Sequence, residues 1–94
     1  MTAQELTLNI SVNLGRLARW VDEDKISRVA IFIKETEDYL HQLEKTYKNA
    51  KFEKTLRDFK ISFNNLKNNS KYDKDWAEEA LTWANILQHR AKLA

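Results

Sequence analysis

The chain has 94 residues, with 16 Lys and Arg against 14 Asp and Glu, no proline, no cysteine and a single glycine, Gly15. That length supports one core, so a single domain over residues 1–94 is expected, with modest stability. The missing cysteines exclude disulfides, thiolate metal sites and cysteine nucleophiles, and the near absence of glycine and proline disfavours tight hairpin turns. The expected fold is all-α: a small antiparallel bundle of four helices joined by short polar loops.

Residues 6–14, LTLNISVNL, alternate apolar with Thr, Asn and Ser. At period two this is a half-buried strand that would pair between subunits; at period 3.6 it is a helix apolar on two opposite sides. The helix is the preferred reading, because Leu6, Ile10, Leu14, Leu17 and Val21 then fall within an arc of roughly 80° and form a core stripe. The second helix is expected to start near Asp24 or Ser27 and to run to about Tyr47. Its inner side carries Val29, Ile33, Thr36, Leu40, Leu43 and Tyr47, widened by Phe32 and Tyr39.

A third apolar stripe follows at Phe52, Leu56, Phe59, Phe63 and Leu66. No glycine or proline separates it from the second. Continuing the helical wheel, however, puts Phe52 about 140° from the centre of the preceding stripe, so a break near Asn49 is required. The polar run KNNSKY, residues 67–72, then suits a turn. Asp73 or Asp75 can cap the last helix, and Asp75 with Glu78 has capping-box spacing. That helix is expected to bury Trp76, Ala80, Trp83, Ala84, Leu87 and Ala91, its alanines allowing close approach of a neighbour.

Charge is distributed unevenly. Residues 1–44 carry five basic against eight acidic side chains, residues 45–67 seven against two, and residues 68–94 four against four. Lys48, Lys51, Lys54, Arg57 and Lys60 recur every three residues. A stride of three slips back by about 60° per step on an α-helix, so these cations spiral instead of forming a stripe. A solvated basic helix attracting the acidic first half accounts for them. The competing class is a nucleic-acid-associated protein contacting phosphates through Lys51, Lys54, Arg57 and Lys60.

No catalytic apparatus is visible. His41 follows Asp38 at the three-residue spacing used in carboxylate-bridged metal bundles, but His89 has Ile86 at the corresponding place and further inward carboxylates are missing. Histidine phosphotransfer domains typically carry lysine three and glycine four residues after their histidine; Glu44 and Lys45 stand there instead. A lone glycine cannot form a glycine-rich phosphate loop. The expectation is a protein that is not an enzyme and needs no metal or cofactor.

The longest apolar run, VAIFI at 29–33, is too short to span a bilayer, and MTAQEL lacks the features of a secretory signal. A cytoplasmic protein without membrane association is therefore expected. With the first stripe turned inward, Leu8 and Val12 point to the opposite side and Gly15 joins them at spacings of four and three. A mid-helix glycine costs about 1 kcal/mol relative to alanine, which suggests that another backbone approaches closely there. Ile31 and Ile61 also project outward and would extend the patch. The functional expectation is a protein–protein interaction module that forms a homodimer through Leu8, Val12, Gly15, Ile31 and Ile61 and engages a further protein whose identity the sequence does not disclose.

Overall fold

The side chain of Thr2 accepts the backbone N–H of Glu5 at 3.1 Å, and the Glu5 carboxylate accepts that of Thr2 at 2.9 Å. This reciprocal pair starts the first helix by satisfying two amides that the helical ladder leaves open. In the computed structural model, which describes residues 1–94, that helix is α1 (Ala3–Asp22), followed by α2 (Ile26–Lys45), α3 (Glu53–Asn68) and α4 (Lys74–Arg90). Short 3-10 turns occupy Ala50–Phe52 and Ala91–Leu93, and no strand is present. The alternating stretch 6–14 is helical throughout. Its inner residues Leu6, Ile10 and Leu14 are buried, while Leu8 and Val12 are exposed.

Each connection has a local cause. At the end of α1, Asp24 takes the left-handed conformation (φ 58°), and the N–H groups of Asp24 and Lys25 return to the carbonyls of Val21 and Trp20. This is the arrangement that usually selects glycine at a helix C-terminus. After α2, the Lys48 ammonium donates to the carbonyls of Leu43, Glu44 and Thr46, closing the frayed last turn. Asn49 then caps the 3-10 turn leading into α3 by accepting from the Lys51 N–H. The break near Asn49 therefore lies where the phase conflict requires it.

Three expectations need correction. Tyr47 is 92% exposed instead of lining the core, because α2 ends at Lys45 and the extended Thr46 turns the chain out of helical phase. The cap of α4 is Asp73, whose carboxylate accepts the Trp76 N–H at 2.9 Å; Asp75 sits inside the first turn and forms no capping box with Glu78. Trp83 is only partly buried, its indole N–H held at the surface by the Glu79 carboxylate at 3.0 Å.

The helices pack antiparallel around one core in which Leu6, Ile10, Leu14, Leu17, Val29, Leu43, Phe52, Phe59 and Leu87 are almost wholly excluded from water. Close against both α2 and α4 lies α1. Small residues permit this toward α4: Ser11 and Ala18 face Ala77 and Ala84, and the Ser11 hydroxyl donates to the Ala84 carbonyl at 2.6 Å. Toward α2, the rings of Trp20 and Phe32 meet edge to face at 4.7 Å, and the Arg28 guanidinium lies 5.7 Å from the Trp20 ring centre. Diagonally across from α1 stands α3, which is spaced from its neighbours by bulkier side chains. Salt bridges Lys60–Glu44 and Lys67–Glu37 join it to α2, and Ser62–Glu79 and Phe59–Trp83 contacts join it to α4. The acidic second helix thus neutralises part of the basic third.

Candidate interaction surface

Because α1 occupies one corner of the bundle, one of its sides remains in solvent. That side carries Glu5, Leu8, Val12, Gly15, Arg19 and Asp22, all exposed except for the half-buried Gly15. Their spacings alternate between four and three residues, so they form one seam down the helix. Leu8 is 44% and Val12 51% exposed, which makes them the apolar centre of the seam with charge at either end.

Gly15 does not mark a close approach within the chain. A methyl group built on it meets no atom beyond its own helix backbone within 4 Å, and its backbone is not left-handed. The glycine leaves an open notch beside Val12. Leu81 on α4, 49% exposed, stands level with that notch, since the Ser11–Ala84 and Gln4–Lys92 bonds set the antiparallel register of the two helices. The apolar pattern of α1 gives no hint of Leu81. Its place on the wheel of α4, some 40° from the α1-facing Ala77, is the signal that identifies it.

Ile31 and Ile61, at 65% and 62% exposure, do not join this surface. Ile31 projects from the outer side of α2 toward the end where Trp20 packs. Ile61 lies on the outer face of α3, the helix diagonal to α1. Each is an isolated apolar side chain of a kind common on protein surfaces.

The basic residues are likewise dispersed. Lys54 pairs with Asp58 at 3.1 Å and Lys60 with Glu44 at 3.6 Å, whereas Lys51 and Arg57 have no carboxylate partner. Arg90 of α4 reaches the Thr55 hydroxyl at 3.3 Å, and the groove between α3 and α4 is floored by Trp83 and Ile86. Half the four cations considered for nucleic acid are therefore already engaged within the molecule. His41 lies exposed beside Glu37 and Glu44, and His89 meets the Asn85 carbonyl of its own helix. Histidine and carboxylate side chains nowhere gather in a group of three suited to a metal ion.

The Lys67 ammonium bonded to Glu37 holds that carboxyl below the usual carboxylate range, and the Thr2 backbone N–H does the same for Glu5. Desolvation, aided by the neighbouring Glu35, raises the Tyr39 phenol. None of these groups lies in an enclosed cavity with a nucleophile. No helix is long and apolar enough to cross a membrane. No protein-family model matches the sequence, and comparison with curated proteins and with solved structures yields no significant match.

Proposed function

We propose that this protein is a cytoplasmic, non-catalytic interaction module that associates with a second copy of itself through the outward face of α1, leaving its other faces for a further protein partner. The observation that carries this reading is the pairing of Leu8 and Val12, both about half exposed, beside the open notch at Gly15 on a helix whose opposite side is fully committed to the core. Burying the half of Leu8 and Val12 that is still exposed would contribute roughly 0.7–1.5 kcal/mol each, which favours association once neighbouring groups add to it. An interface confined to one helix face falls below roughly 1,200 Å², the range of weak and transient pairs. Association is accordingly expected to depend strongly on concentration.

Sedimentation or light scattering at ~100 μM is the test, a concentration chosen for affinities in the micromolar range. The wild type should show dimers that the combined Leu8→Asp and Val12→Asp substitutions abolish, with the helical circular dichroism spectrum unchanged. A wild type that stays monomeric, or a folded double variant that still dimerises, defeats the reading.

A further inference from the structure

Resting on the self-association just described, we infer that two copies pair antiparallel along α1, with Leu8 of each copy against the partner's Val12 and Glu5 of each over the partner's Gly15. The seam from Glu5 to Asp22 has the alternating three and four spacing of a two-stranded coiled coil, and as a bundle corner it is free to meet a like surface. Charge selects the direction. Glu5 lies at one end of the apolar pair, and at the other lie Arg16 and Arg19, followed by Asp22. A parallel pair would stack Glu5 on Glu5 and Arg19 on Arg19, whereas an antiparallel pair that faces Glu5 with Gly15 sets Glu5 of each helix beside Arg16 and Arg19 of the other.

Packing selects the register. Facing Leu8 with Val12 places the two-fold axis level with Ile10 and buries both apolar side chains of both copies. The same register sets Glu5 opposite the notch at Gly15, where a methyl group would find nothing beyond its own helix backbone within 4 Å. That notch makes room for the Glu5 stem, and the carboxylate, kept on the Thr2 N–H of its own helix, points back along the seam toward Arg19 of the partner. Sliding by one heptad would instead bring Glu5 opposite Asp22, a like-charge contact.

The chain contains no cysteine, so introduced thiols report pairing without interference. Glu5→Cys and Gly15→Cys proteins are oxidised mildly, each alone and as an equimolar mixture, at ~100 μM as before. Bridging requires Cα atoms within about 7 Å, and ten helical residues span about 15 Å. The expected result is a disulfide-linked dimer from the mixture and none from either protein alone. Cross-linking of each variant alone, without the mixed product, would establish a parallel pair and overturn the inference. As a second measurement, Glu5→Arg and Arg19→Glu should each weaken self-association by about tenfold, and their equimolar mixture should regain wild-type affinity. Singles that associate like wild type, or a mixture that does not recover, reject this register while a dimeric wild type leaves the broader reading standing. A monomeric wild type removes both.

Discussion

Gly15 and Asp24 hold reversed conformational roles: the only glycine lies within α1 with ordinary helical geometry, while Asp24, just past the end of the same helix, holds the only left-handed backbone in the chain. Glycine loses more freedom on folding than alanine, and aspartate is strained where glycine is not. Asp24→Gly should therefore stabilise the fold by about 0.5–1 kcal/mol by relieving the cap of α1. Gly15→Ala should stabilise it by about 1 kcal/mol, since the added methyl enters open space. Urea unfolding at concentrations low enough to keep the protein monomeric checks both.

Trp76 is buried and donates its indole N–H to the Leu66 carbonyl at 3.0 Å, tying the first turn of α4 to the last turn of α3. Trp76→Phe keeps much of the bulk but removes that bond, leaving the Leu66 carbonyl only the Asn69 N–H at 3.3 Å. A loss of about 0.5–1.5 kcal/mol is expected in the same unfolding assay.

Asn13 presents the opposite case. It is buried, and its Nδ2 has no hydrogen-bond partner. An unpaired buried amide costs free energy that an apolar side chain of similar size does not. Asn13→Leu is expected to raise stability by about 1 kcal/mol, read from the urea midpoint at unchanged slope.

Glu37 binds protons less readily in the folded state than in the unfolded chain because Lys67 donates a hydrogen bond to its carboxylate. Stability from this pair is therefore present above the ordinary carboxylate pKa and is lost as pH falls through the lower folded value. The dependence of stability on pH between about 5 and 3 should flatten in Glu37→Gln, and in Lys67→Met, relative to wild type. An unchanged slope in both variants would show that the ion pair does not contribute.

The core stripes were legible because each repeats one face of a helix: Leu6, Ile10, Leu14, Leu17 and Val21, then Phe52, Leu56, Phe59, Phe63 and Leu66, are all buried. Phase alone also located the break before Phe52. Less legible was the burial of Thr7, Ser11 and Asn13, which hydropathy places in solvent but the close approach of α2 and α4 encloses. Thr7 satisfies itself on the Ala3 carbonyl and Ser11 on that of Ala84, and only the second depends on a distant partner. Tyr47 misled because one extended residue, Thr46, ends the periodicity that the wheel assumes. Of the surface, Leu8 and Val12 were readable from α1 by itself. Leu81 required knowledge of which helix stands beside it, and the diagonal placement of α3 removed Ile61.

The bond from Ser11 to Ala84 joins residues 73 positions apart, and that from Gln4 to Lys92 joins residues 88 apart. The helix formed earliest in the chain thus finds one of its closest neighbours only in the last. Closing so long a loop costs entropy before any contact compensates, so folding should be slower than in bundles whose helices pack mainly on their sequence neighbours. Until α4 arrives, α1 has no partner for its small-residue side. A chain truncated before residues 74–90 is therefore expected to lack native packing on the small-residue side of α1.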